Sequence, residues 1–91
     1  MSNNGKSQKT IKNVKVREDT VIGSNYCQLV SVSVTDIDVT LQFVFVNPRT
    51  RKDGQVVSRV TMPVHTAASL SEAIRNTIKS HSYKKGGKKN V

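Results

Sequence analysis

The side chains that could carry catalysis are few in this chain of 91 residues, and they are widely spaced. Asp36 and Asp38 lie two residues apart at a predicted turn. On an extended strand they would share one face, where paired carboxylates could do acid–base work or hold a cation. Turn chemistry and solvation explain the same pair better. A small enzyme built on Asp36, Asp38 or His65 is therefore the weakest functional hypothesis.

The histidines and the cysteine also lack the neighbours that their chemistry needs. His65 and His81 lie sixteen residues apart at the two ends of a predicted helix, without the cysteine or carboxylate spacing of a zinc site. Packing or capping explains His65 better than ligation. Cys27 has no visible base to activate it, which favours a role as a small packed hydrophobe. We expect no enzymatic activity, no metal and no cofactor.

Binding to an anion is better supported, because the formal net charge is +9. Residues 1–19 carry +3, residues 20–78 carry +1 and residues 79–91 carry +5, so the charge lies mostly in the two ends. A predicted loop supplies three further cations and the next strand supplies an arginine, and guanidinium groups suit phosphate or carboxylate. The candidate nucleic-acid contacts are Arg49, Arg51, Lys52, Arg59, Lys84, Lys85, Lys88 and Lys89.

Two interpretations of these cations stay open. Lysine-rich ends attract polyanions by releasing counterions, independently of sequence. They could equally be solubilising, disordered tails. Tyr26, Phe43 and Phe45 could stack bases on a sheet, but core packing is the better explanation in a chain with four aromatic residues.

The elements that would position these residues are predicted by hydrophobic periodicity. Residues 10–17 alternate around Ile11, Val14 and Val16, which is typical of an edge strand guarded by lysines. Period-two alternation over 26–34 and 37–46 predicts two long strands joined as a hairpin at Thr35-Asp36. After a charged loop, in which Asp53-Gly54 suits a tight turn, a further strand follows over 55–62.

An amphipathic helix is predicted after Pro63, whose fixed φ suits a first helical turn. Its apolar face consists of Ala67, Leu70, Ile74, Thr77 and Ile78, and we expect it to end near residues 80–83, before Gly86-Gly87 and the last lysines. One such stripe cannot cover both faces of a four-stranded sheet. An uncovered apolar face predicts a partner, most simply a symmetric homodimer. The alternative is that the helix covers one face of the sheet and that the other face carries a mixture of polar and apolar side chains, which needs no partner.

The compartment is indicated by what the composition lacks. One cysteine cannot form an intramolecular disulfide, which fits a reducing compartment. The first residues have no apolar signal-peptide stretch, and no apolar run is long enough to cross a membrane. We expect a cytoplasmic protein with no membrane contact.

Three segments carry a combination that resembles a known family. They are residues 18–26, ending at Tyr26; residues 35–43, the hairpin; and residues 57–65, which include Arg59, Pro63 and His65. Asn76 in the helix also matches. From Lys12 to Lys84 the chain resembles the bacterial and archaeal family named domain of unknown function 3467. The departures are Cys27-Gln28, Gln42 where an aspartate is usual, and the spacing of His65 from Ala67. The resemblance implies the fold and supplies no activity.

The sequence therefore predicts an α+β protein: a small antiparallel meander of about four strands, one C-terminal amphipathic helix, and dimeric assembly. Residues 1–9 are predicted to be a disordered polar tail, residues 10–82 a single β-β-β-β-α domain, and residues 83–91 a basic flexible tail. The favoured function is a non-catalytic interaction module that binds a protein partner through its sheet. The alternative is a nucleic-acid-binding accessory protein that uses the basic tails and the arginine-rich loop.

Overall fold

The computed structural model describes residues 8–89, with side chains as far as Lys84. In chain order the elements are β1 (Gln8–Ile11), β2 (Val14–Arg17), β3 (Leu29–Val34), β4 (Asp38–Val46), β5 (Gly54–Pro63) and α1 (Val64–Lys89). The strands form two antiparallel sheets, so the predicted α+β class with one C-terminal helix is confirmed.

The first two strands form a hairpin of their own instead of the single predicted edge strand. The chain reverses at Lys12 and Asn13, whose φ values of 48° and 67° are the paired left-handed conformations of a type I′ turn. Ion pairs Lys9–Glu18 at 3.4 Å and Arg17–Asp19 at 3.1 Å lie within this unit and its exit. Gln8 and Lys9, predicted to lie in a disordered tail, belong to β1, and the rest of that predicted tail lies outside the described residues.

The main sheet is a three-stranded meander in the order β3-β4-β5, as the alternation predicts. Thr35 closes its first turn: the side-chain Oγ accepts the N–H groups of Ile37 at 3.3 Å and Asp38 at 3.0 Å. The Thr35 N–H donates to the Asp38 carbonyl at 2.8 Å. A register shift between Phe43 and Val44 marks a bulge against β5, where Val57 has no partner.

The register sorts the side chains of this sheet onto two unlike surfaces, because directly paired residues share a face. The apolar face carries Val30, Val32 and Val34 of β3, Val39, Leu41 and Phe43 of β4, and Val60 and Met62 of β5, with Ser58 beside Phe43 as its polar member. The opposite face, which we call the polar face, carries Ser31, Ser33, Thr40, Gln42, Arg59 and Thr61 and, at the end near the β4–β5 loop, the apolar pair Leu29 and Val44.

The helix covers one corner of the apolar face. It begins directly after Pro63, and the Val64 N–H donates to the Ile37 carbonyl at 3.1 Å, which ties the helix start to the β3–β4 turn. Val39, at this corner, is 6% exposed and is the one buried apolar side chain among the described residues. Ala67 and Leu70 are half-buried, whereas Ile74 and Ile78 further along are 50% and 61% exposed.

The helix also runs past its expected end. It continues to Lys89, through Gly86-Gly87, so the segment predicted as a flexible tail from residue 83 is helical in its described part. Glycine lowers helix stability by about 1 kcal/mol but keeps its N–H, so it does not end a helix as proline does.

The chain exposes far more surface than a compact protein of its size. Its accessible area is 8031 Å² for 10.0 kDa, whereas a compact monomer of this mass exposes about 5,200 Å². Its radius of gyration is 17.2 Å, against about 12 Å for a compact domain of this length. One copy therefore leaves about 2,800 Å² uncovered that a compact chain would bury.

Candidate functional site

The residues considered for catalysis do not come together. Asp36 lies in the exposed β3–β4 turn and Asp38 begins β4, while Cys27 is half-buried before β3. His65 and His81 are exposed at different turns of α1. No three His, Cys, Asp or Glu side chains of the described residues are placed to hold a metal.

Most of the apolar face has no covering element among the described residues. Val32 and Val34 are 60% and 64% exposed, and Val30 and Val60 are also exposed. The side chains of Ile74 and Ile78, with Ala73 and Thr77, line a shallow apolar depression on α1. One chain thus presents two apolar surfaces, one on the sheet and one on the helix, that do not pack against each other within the same copy.

The polar face holds Arg59 in place through a chain of hydrogen bonds across all three strands. The Arg59 Nε donates to Gln42 Oε1 at 2.9 Å, and the Gln42 Nε2 donates to Ser31 Oγ at 3.4 Å. The hydroxyls of Thr40 and Thr61 bond each other at 2.8 Å beside them. Sequence reasoning selected Arg59 but missed Gln42, which orients it. No single segment of the sequence links the two residues, because their pairing depends on the register of β4 and β5.

The loop that joins β4 to β5 carries three of the candidate cations on an ordered backbone. The Asn47 side chain accepts the Arg49 N–H at 2.8 Å, and the Arg51 N–H donates to the Asn47 carbonyl at 2.7 Å. Arg51 adopts a left-handed φ of 58°. Gly54, expected to serve the turn, instead begins β5 without a left-handed φ.

These loop cations are not neutralised within the described residues, whose ion pairs both lie around the first hairpin. The nearest acid in sequence, Asp53, accepts a hydrogen bond from Thr50 Oγ at 3.2 Å. Arg49, Arg51 and Lys52 are all exposed. Their guanidinium and ammonium groups therefore remain available to an anion.

The cations do not form one cluster. The loop lies at one end of β5 and α1 begins at the other end, ten residues away along the strand, or about 33 Å. Lys84 is exposed about 30 Å along the helix from its start. Lys85, Lys88 and Lys89 belong to the same helix, but their side chains lie outside the described part of the structure.

Among the described residues, a lowered pKa is found away from these surfaces, at Asp19. Hydrogen bonds from the Arg17 guanidinium hold the pKa of Asp19 below its ordinary value. Both groups are exposed, so this pair contributes little to stability.

In the described part of the chain, no helix is long and apolar enough to cross a membrane. Neither the curated proteins nor the solved structures contain a match to this chain. A family described as protein of unknown function, DUF3467, matches residues 1–87. The match reaches further than the expected span of residues 12–84, into both basic ends. The chain, with its three-stranded meander and single C-terminal helix, belongs to this family of proteins of unknown function.

Proposed function

We propose that the protein is a non-catalytic interaction module that binds a protein partner through its sheet, and that this partner is a second copy of the chain. The observation that carries the proposal is the open apolar face, on which Val30, Val32 and Val34 remain exposed. Exposed contiguous apolar surface of this kind marks interaction sites.

A second copy is favoured over an unrelated partner for two reasons. The chain exposes about 2,800 Å² more than a compact chain of its mass, which is more than enough for an obligate dimer, where each partner buries about 1,000–2,500 Å² of a total of about 2,000–5,000 Å². The same chain also carries an exposed apolar stripe on α1, formed by Ile74 and Ile78. A second copy could therefore supply a helix to pack on the apolar face of the sheet, as domains built from two packed layers require. A single unpaired thiol suits a reducing compartment, so we place the module in the cytoplasm.

The test is the mass in solution, measured by light scattering over a concentration series. The wild type is expected at twice the 10.0 kDa mass of one chain. Val32→Glu places a carboxylate on the apolar face, where a covered position would bury it unpaired, so we expect it to dissociate the dimer.

Gln42→Glu is the matched control, because it adds the same charge on the polar face of the central strand β4, away from the outer edges of the sheet. We expect it to remain dimeric. A monomeric wild type would refute the proposal, and so would equal masses for the two variants. If Val32→Glu does not fold alone, Val32→Ser should still raise the dissociation constant while Ser33→Val does not.

The ordered cationic loop supports a second candidate function, the binding of nucleic acid through phosphates. Arg49, Arg51 and Lys52 are exposed, close in sequence and free of ion pairs among the described residues. Counterion release would make such binding insensitive to sequence and steeply dependent on salt.

Fluorescence anisotropy with random duplex oligonucleotides at several salt concentrations tests this candidate. Neutralising the loop by Arg49→Gln, Arg51→Gly and Lys52→Gln should reduce the salt slope by about 2.7 if each cation meets one phosphate. Neutralising Lys15, Arg75 and Lys79 removes the same charge elsewhere and should reduce it less. Absence of binding at low salt, or identical losses in both variants, would remove the loop as a site.

A further inference from the structure

The two outer edges of the main sheet differ in how they are protected against pairing. The β5 edge carries Arg59, the bulge at Val57 and the terminal Pro63, which are devices that discourage another strand from adding. The β3 strand, LVSVSV, has no charge, proline, glycine or bulge, and all six of its residues are exposed. The unprotected edge is therefore β3.

The direction of the backbone groups on β3 follows from its turn. The Thr35 N–H donates to Asp38, and hydrogen-bonded and non-bonded pairs alternate along an antiparallel ladder. The amides of Ser31 and Ser33 therefore point to β4, while those of Val30, Val32 and Val34 point to the free edge. A single copy leaves these three amides without a strand partner.

We propose that β3 pairs antiparallel with β3 of a second copy about a two-fold axis normal to the sheet, which creates one continuous six-stranded sheet. This inference rests on the proposed function and specifies how the two copies meet. An axis normal to the sheet keeps each face on its own side, so the two apolar faces merge into one surface.

The helices complete this arrangement. Edge pairing alone leaves the merged apolar face bare, because Val32 and Val34 are 60% and 64% exposed on each copy. Each α1, about 39 Å long, has an apolar stripe that extends beyond its own covered corner at Val39. The two helices form a second layer over the six strands, in which Ile74 and Ile78 lie against the apolar face.

The first hairpin is a poorer occupant of the β3 edge. Its strands carry Lys9, Lys15 and Arg17, and cations on an edge oppose the addition of a strand. A second β3 brings no charge to the pairing, and its valines lie on the same face as those of the first.

Amide hydrogen exchange on the full chain, measured by NMR, tests the pairing directly. We expect the amides of Val30, Val32 and Val34 to be protected as strongly as those of Ser31 and Ser33. The controls are the amides of Arg59 and Thr61, which by the same alternation point to the outer edge of β5 and should exchange fast. A dimer in which the three valine amides exchange like these controls overturns the edge pairing and leaves the proposed function intact. A monomer overturns both.

Proline substitution provides an independent measurement. Val32→Pro removes an amide that points to the free edge and keeps the β3–β4 ladder, so the dimer dissociation constant should rise about 100-fold. Thr61→Pro makes the same change on the outer edge of β5 and should leave the dissociation constant within about threefold. Equal effects from the two prolines, with native circular dichroism, would exclude pairing through β3.

Discussion

Truncating the side chain of Val39 should destabilise the protein far more than truncating an exposed valine outside the strands, such as Val21. Val39 is 6% exposed and lies between Val34 and Met62 at the corner that α1 covers. Val39→Ala removes two methyl groups at about 0.8 kcal/mol each, and the cavity left behind adds to the loss. We expect a loss of about 2 kcal/mol in the free energy of unfolding, a large part of the stability of so small a domain.

The assay is urea unfolding followed by far-UV circular dichroism at one fixed protein concentration, since unfolding and dissociation are coupled in a dimer. The control is Val21→Ala, at a position that is 72% exposed outside the strands, which should change the free energy by less than about 0.5 kcal/mol. Equal shifts of the two midpoints would show that the corner at Val39 is not a packed core.

Three further changes have defined outcomes. Gly54→Ala should lower the thermal midpoint, because a Cβ there would lie 2.8 Å from Val44 Cγ1; an unchanged midpoint would mean that β4 and β5 are less closely spaced than described. Thr35→Val should cost about 1 kcal/mol in urea unfolding by removing the oxygen that accepts two amides of the turn, while Thr35→Ser should cost less. NMR titration should place the pKa of Asp19 below its ordinary value and return it there in Arg17→Gln. Because the folded pKa is lowered, the stability this pair adds is present above the ordinary pKa and is lost as pH falls through the folded value; an unchanged pKa in Arg17→Gln would refute the assigned cause.

The main sheet could be predicted because the residue pattern that indicates each strand lies within that strand. Alternation over residues 26–46 and 55–62 is a property of single strands, and Thr35-Asp36 leaves room only for a tight turn. The first hairpin was missed because its turn, Lys12-Asn13, has no glycine although both residues take a left-handed φ. In the β4–β5 loop the left-handed residue is Arg51, while Gly54 is needed for its closeness to Val44.

The candidate site residues also differ in whether local sequence is sufficient to predict them. Charge and residue type are sufficient to select Arg49, Arg51 and Lys52, since a hairpin loop keeps its members together. The link from Arg59 through Gln42 to Ser31 depends on the register of three strands, and no single segment encodes it. The fraction of the apolar face that α1 covers depends on the direction in which the helix leaves the sheet. That direction is a tertiary property, which the sequence of the helix alone does not specify.

The near absence of buried side chains in one described copy has a consequence for the protein in its cell. A lone chain has one packed corner, at Val39, with which to oppose the conformational entropy of its backbone. In the proposed dimer, folding is coupled to association, and the fraction of native molecules is then expected to rise with the concentration of the chain. The proposed dimer therefore predicts that chains synthesised in small amounts are degraded before they associate, so that the protein accumulates only above a threshold of synthesis.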